Sequence, residues 1–391
     1  MINYACRHFQ AAKPCLFNKM DGSECPSCQH VSEYRERILF IKLDAIGDVL
    51  RSASLLPAIA QQHIAPFIVW LTREEAADLV RMIRHVDEVI TLSEEGLARI
   101  AAGAWDRVYS LSNDLTSASL ATLAAGGGAP VGFYMQSGVI HPSNSAATNW
   151  LQMATFDRLK RTNRQSYQKL MLDIIGRPND PVPPPALEVD HSLQQAAAAR
   201  LAELFGGRPR SRIAVNIGAG GRWPKKMLNA EQIHRYARQL QQRADVDIVL
   251  VGGAAETEKA VAIAALCTGD ARVRAALTGH SLPEFVALLT QVDALLCGDT
   301  LALHIAAALG LPTVAVFGPT SSAEIFDFDG LITKVWTDEL DCLVCYGDCQ
   351  KQKNCMSLLK ITALVDRTIE QLKRAQQARA STRPGSPGAP H

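Results

Sequence analysis

The sequence predicts an α/β protein made of two doubly wound, parallel-sheet domains. Three observations carry this expectation. Short apolar runs alternate with helix-period segments in two separate stretches, the pattern of a parallel sheet covered by helices on both faces. A proline-rich break divides the two stretches. Within each stretch, glycines and polar residues gather directly after apolar strands, where open α/β sheets bind ligands.

Residues 1–36 form a cysteine-rich segment. The first domain, 37–180, opens on a strand over 38–41. A helix over 49–60 follows, with Leu50, Ala53, Leu56 and Ile59 roughly on one face. A strand over 67–71, a helix starting at Glu74, and strands over 86–92, 108–111 and 130–134 complete the set. Residues 181–190 are the linker, because Pro181, Pro183, Pro184 and Pro185 cannot continue a helix or a central strand. The second domain, 191–335, has strands over 213–217, 248–251, 294–296 and 314–317. A second cysteine-rich segment, 336–360, precedes a helix over 361–380. The tail, 381–391, is rich in Pro, Gly and Ser and is expected to be disordered.

Composition narrows the function. The chain has 391 residues, suited to two or three domains at roughly 150 residues each. Its formal net charge of +1 disfavours a general polyanion binder and hence nucleic acid. No run of 18 apolar residues is present, and the N-terminus lacks a basic, then apolar, signal pattern. A cytoplasmic protein is expected, with room for peripheral contact with a membrane.

Two loops of the second domain point to an anionic ligand. After the strand over 294–296, Gly298-Asp299-Thr300 forms a tight turn into a short helix that carries Leu301 and His304. Amides at a helix N-terminus lack internal partners and favour a phosphate. After the strand over 213–217 comes Gly218-Ala219-Gly220-Gly221-Arg222-Trp223-Pro224-Lys225-Lys226. Its glycines permit close backbone approach, and Arg222, Lys225 and Lys226 add positive charge. It is neither the Walker loop nor the dinucleotide fingerprint.

In the first domain, Lys42-Leu43-Asp44-Ala45-Ile46-Gly47-Asp48 follows the first strand. Asp48 reads equally as a helix-capping carboxylate or as a general base for an acceptor hydroxyl. Asp114 is a second candidate base, and a capping role before the next helix is at least as good a reading. Arg158, Lys160, Arg161, Arg164 and Lys169 form a basic run on a helix, either a solvated face or a grip on an anionic acceptor.

Ten cysteines are many for the cytoplasm, where disulfides rarely persist. Cys6, Cys15, Cys25 and Cys28 precede the first strand; Cys342, Cys345, Cys349 and Cys355 follow the last. Each group has one C-x-x-C pair. Four thiolates in a short segment are the ligand set of zinc or of an iron centre, so a structural metal is expected in each group. Cys267 and Cys297 stand in apolar runs and read as core residues.

Three segments together, 38–57, 218–226 and 298–320, resemble glycosyltransferase family 9, the bacterial heptosyltransferases. The resemblance spans residues 37 to about 325 and preserves the order of the motifs. It implies a GT-B fold, with two Rossmann-like domains facing across a cleft. The acceptor would bind the first domain and a nucleotide-diphosphate sugar, ADP-heptose above all, the second. It also implies that Asp48 is the catalytic carboxylate, that Arg222 to Lys226 hold the diphosphate, and that Asp299, Thr300 and His304 bind the donor. Leu301 stands where the family usually has glycine.

No organic cofactor is implied. The acceptor would be a lipopolysaccharide core, another glycan or a protein. Related autotransporter heptosyltransferases carry iron on a C-terminal cysteine motif similar in kind to Cys342–Cys355. The last helix of this fold usually crosses back to the first domain, which leaves open whether the cysteine groups make one site or two. A sugar-nucleotide epimerase and a non-catalytic sugar-nucleotide binder are the competing readings.

Overall fold

The computed structural model describes all residues except 208–209, 219–225, 278–280, 348 and 382–391. The expected disordered tail therefore lies almost wholly outside the described residues. The chain divides into two units. Unit one comprises Met1–Lys160 and Gln168–Val182; unit two comprises Arg161–Tyr167 and Pro183–His391.

After a short helix α1 (Leu16–Asp21), unit one is built on β1 (Glu36–Ile41), β2 (Pro66–Thr72), β3 (Glu88–Thr91), β4 (Arg107–Ser110), β5 (Val131–Gln136) and β6 (Val139–Pro142). The strand order is β3-β2-β1-β4-β5-β6. All pairs are parallel except β5–β6. The helices between them are α2 (Ile46–Ser52), α3 (Leu56–Ala60), α4 (Glu74–Arg81), α5 (Glu94–Ala102) and α6 (Leu115–Ala124). Leu39, Ile41, Val69 and Leu71 pack beneath Ile100 and Leu120 in one buried cluster. Next come α7 (Ser145–Thr155), α8 (Asp157–Thr162) and α9 (Tyr167–Ile174).

Unit two has α10 (His191–Phe205), β7 (Ser211–Asn216), α11 (Ala230–Arg243), β8 (Val246–Val251), α12 (Thr257–Leu266), β9 (Val273–Ala275), α13 (Leu282–Leu289), β10 (Ala294–Gly298), α14 (Leu301–Ala308), β11 (Thr313–Val316), β12 (Ile332–Val335) and α15 (Ile361–Ser381). Its sheet runs β12-β11-β10-β7-β8-β9, with every pair parallel. Every residue of β8 is buried, as expected of a strand covered on both faces. In both sheets the first strand has its successor on one side and a later strand on the other. That reversal is the topological switch point, beside β1 and β4 in unit one and beside β7 and β10 in unit two.

Three local expectations are corrected. The helix expected over 49–60 starts earlier and is broken. It runs as α2, a 3-10 turn over Ala53–Leu55 and α3, which restarts with Pro57 in its first turn; proline lacks the amide that a continuous helix would need there. The strand expected over 130–134 is half of a hairpin. Ser137 and Gly138, both at positive φ, form its two-residue turn. The basic run from Arg158 to Lys169 is not on one helix, because α8 ends at Thr162 and α9 begins at Tyr167. Arg164 there donates to the carbonyls of Arg161 and Asn163. In unit two, Leu364, Val365 and Leu372 of α15 join the core of β7, β8, β10 and β11, and Tyr236 bonds Thr368 at 2.8 Å.

Candidate active site

The switch point of unit one is built from the ends of β1 and β4. Lys42 leaves β1 with its side chain only 3% exposed, and its Nζ lies 2.7 Å from Asp44 Oδ2. It also donates to the Leu111 carbonyl at 3.0 Å. Ser112, just past β4, donates its hydroxyl to the same Asp44 carboxylate. A buried lysine without such partners would be strongly unfavourable. The network therefore pins the loop from Lys42 to Ala45 to the neighbouring strand.

That loop delivers α2, and Asp48 lies in its first turn. The N-cap position falls on Ala45, which makes no side-chain cap bond. Asp48 pairs with Arg51 one turn on, at 2.6 Å. Asp114 is placed differently. It is the N-cap of α6, and its two carboxylate oxygens accept from the Ser117 amide at 3.0 Å and the Ser117 hydroxyl at 2.6 Å.

In unit two, Asn216 ends β7 and ties the two switch-point loops together. Its side-chain amide donates to the Gly218 carbonyl at 3.0 Å and to the Thr300 hydroxyl at 3.1 Å. Thr300 is the N-cap of α14 but makes no side-chain cap bond to it. Its hydroxyl lies 3.5 Å from the Gly298 carbonyl instead. The first-turn amides of α14 are thus not capped by Thr300, which suits an anion. Lys226 reaches the same turn, with Nζ at 3.3 Å from the Asp299 carbonyl and 3.4 Å from its carboxylate. A Cβ on Gly298 would stand 2.3 Å from the Lys226 carbonyl oxygen, so only glycine lets those two backbones touch. Leu301 opens α14, and His304 is buried on it. Gly220, Arg222 and Lys225 lie outside the described residues.

Several site residues escaped the sequence reading: Asp44, Lys42, Ser112, Asn216, Glu256 and Lys259. Glu256 packs against Gly218 and accepts from the Gly253 amide at 2.8 Å. Lys259, on α12, donates to the Ile217 carbonyl at 2.9 Å. Burial pushes its ammonium down to about 8, against the opposing pull of Glu256. A lysine and an asparagine closing otherwise apolar strands were visible signals for Lys42 and Asn216; nothing in the sequence around Lys259 marked it.

The cysteines fall at two places. Cys6, Cys15, Cys25 and Cys28 border one cavity in unit one; Cys342, Cys345, Cys349 and Cys355 border another in unit two. The second group is anchored to the core. The Tyr346 amide donates to the Pro319 carbonyl at 2.9 Å, and Gln232 donates to the Met356 carbonyl at 2.7 Å. Burial raises the Cys355 thiol, and Cys345 and Cys349 nearby add to it. Among the described residues, no group of three or more His, Cys, Asp or Glu is arranged to hold a metal ion.

The model of glycosyltransferase family 9 (heptosyltransferase) matches residues 97–355, more than half of the chain. The chain belongs to glycosyltransferase family 9. It is a glycosyltransferase, and its two Rossmann-like sheets match GT-B heptosyltransferase structures. One is E. coli ADP-heptose LPS heptosyltransferase II, 19% identical, covering 87% of this chain and 99% of that one at a TM-score of 0.65. Another is the family 9 glycosyl transferase of Veillonella parvula, 15% identical, covering 87% and 98% at 0.68. E. coli heptosyltransferase WaaC with ADP is 19% identical, covering 87% and 99% at 0.55. At these identities the likeness speaks to fold. A search of curated proteins finds no match. Among the described residues, no helix is long and apolar enough to cross a membrane.

Proposed function

We propose that the enzyme moves a heptose from a nucleotide-diphosphate sugar, ADP-heptose, to an acceptor hydroxyl with inversion. The observation that supports this reading best is the switch point of unit two. There a helix N-terminus without a side-chain cap, Lys226 and the tie between Asn216 and Thr300 meet. A diphosphate would find amides and a cation together there.

Asp48 takes the proton as the acceptor oxygen attacks the anomeric carbon. The bond from that carbon to the diphosphate oxygen breaks, and the diphosphate leaves with the electron pair. Lys226 and the α14 amides, with Arg222 and Lys225 of the glycine-rich loop, stabilise the departing charge. The pair with Arg51 holds Asp48 in one orientation. Asp114, engaged in capping, supports the loop after β4. Zinc or iron on Cys342, Cys345, Cys349 and Cys355 would brace the loop at Pro319. The acceptor is a lipopolysaccharide core, another glycan or a protein; a lipid-linked acceptor would bring the enzyme to the inner face of the cytoplasmic membrane.

The test is transfer by the purified enzyme, followed by mass spectrometry, across a panel of nucleotide sugars. Asp48→Asn should bind ADP as wild type does and lose about 10²- to 10⁴-fold in kcat. Asp114→Asn should stay within a few-fold. The reverse pattern moves the base to Asp114, and tight binding of another nucleotide in place of ADP overturns the donor.

A further inference from the structure

The first 35 residues have a defined path but no core. Not one of their side chains is fully buried. Their regular structure is α1, a 3-10 turn over Cys25–Ser27 and an isolated bridge between Cys6 and Glu33. A helix of six residues is far too short to persist alone. Arg7 ties the segment to Asp87 and to the Pro66 carbonyl, and Tyr34 lies on Phe67 at 4.7 Å. Those contacts fix its edge, and its middle rests on a few ring contacts, Phe17 with His8 and His30 and Tyr4 with Phe9. Chains this small usually need a disulfide or a metal.

All four cysteines of the segment border one cavity of about 510 Å³. They come from three different places. Cys6 sits at the bridge, Cys15 occupies the N-cap position of α1, and Cys25 opens the 3-10 turn that Cys28 follows. The two histidines of the same wall have packing roles. His8 meets Phe17 edge-on at 4.8 Å, while His30 stacks flat on that ring at 4.0 Å and bonds Asp21 at 2.9 Å. The His30 amide points at Cys28 Sγ at 3.4 Å, as backbone amides do when they support a metal-bound thiolate.

We propose that Cys6, Cys15, Cys25 and Cys28 hold an iron–sulfur cluster that staples the N-terminal segment. A single ion would draw all four sulfurs to about 2.3 Å from one point. Four thiols brought from three places in the chain to the wall of one roomy cavity suit the corners of a cluster. The contrast with the cavity of the C-terminal cysteines, about 20 Å³, is large. Each thiol gives up its proton to solvent as it binds an iron, so assembly is coupled to folding of the segment. This inference stands apart from the donor and acceptor reading.

The experiment uses the full chain, purified without oxygen. Iron, zinc and acid-labile sulfide are measured, with the visible spectrum, on the monodisperse fraction. The wild type is expected to hold iron and sulfide. Cys25→Ser/Cys28→Ser should lose sulfide and the visible band while its far-ultraviolet dichroism changes little, since the sheets of both units have their own cores. Cys345→Ser/Cys349→Ser should keep the sulfide. Stoichiometric zinc without sulfide overturns the proposal. So does sulfide that survives Cys25→Ser/Cys28→Ser, or a sulfide-free wild type whose four N-terminal thiols are all alkylated under native conditions.

Discussion

Replacing Lys259 with methionine tests the electrostatics of unit two directly. The lysine is held against the Ile217 carbonyl, and burial lowers its pKa from 10.5 to about 8, with Glu256 opposing. In the unfolded chain it keeps its ordinary value. Between about pH 8 and 10.5 the unfolded state therefore binds more protons than the folded state, and stability rises with pH across that window. At 1.36 kcal/mol per pH unit the whole rise is about 3 kcal/mol, an order-of-magnitude figure. Below pH 8 the full penalty of burying the charge is present. Lys259→Met also orphans the Ile217 carbonyl, at a cost of about 1–3 kcal/mol, but that cost does not titrate. The readout is thus the difference in unfolding free energy between wild type and variant, from guanidinium titrations at steps from about pH 7 to 10.5. Other titrating groups are common to both proteins and cancel. The wild type should gain about 3 kcal/mol on the variant over this range; a difference flat to within about 1 kcal/mol would refute the argument.

Gly298→Ala should destabilise by about 1–3 kcal/mol and weaken ADP binding in calorimetry, because its Cβ would meet the Lys226 carbonyl oxygen at 2.3 Å and push Lys226 from Asp299. Asp114→Ala removes the cap of α6 and should lower stability by about 0.5–2 kcal/mol in urea unfolding. Tyr236→Phe should cost about 1 kcal/mol in the same assay, since Thr368 keeps its bond to the Leu364 carbonyl at 2.9 Å while losing the phenol.

Most of the legible strands are buried on both faces, for then period and pairing no longer matter and a bare apolar run suffices. β1 and β8 are of this kind. The edge strand β3, mostly half-buried, was legible as well, over 86–92. The strands that escaped notice are edge elements. β12 is mostly half-buried, β9 is three residues long, and β6 pairs with a single neighbour, so none presents such a run. The Ser137-Gly138 turn was nevertheless a readable hairpin signal.

The two candidate bases show where reading by position stops. Asp48 and Asp114 both follow strands of the same sheet, and both could be caps or catalysts on spacing alone. What separates them is the partner. Asp114 is followed three residues later by Ser117, whose amide and hydroxyl occupy both its oxygens; that local pattern was already in the sequence. Asp48 instead sits past the cap position, beside Arg51, in the first turn of a helix whose leading loop is fixed through Asp44 by Ser112, 68 residues from Asp44. The tie between Asn216 and Thr300 likewise spans 84 residues. Such long-range bonds follow from strand order, because the switch point brings the ends of non-consecutive strands together. Once the order of the strands is known, polar residues at the ends of β1, β4, β7 and β10 become the ones to examine, and Lys42, Ser112, Asn216 and Asp299 all meet that criterion.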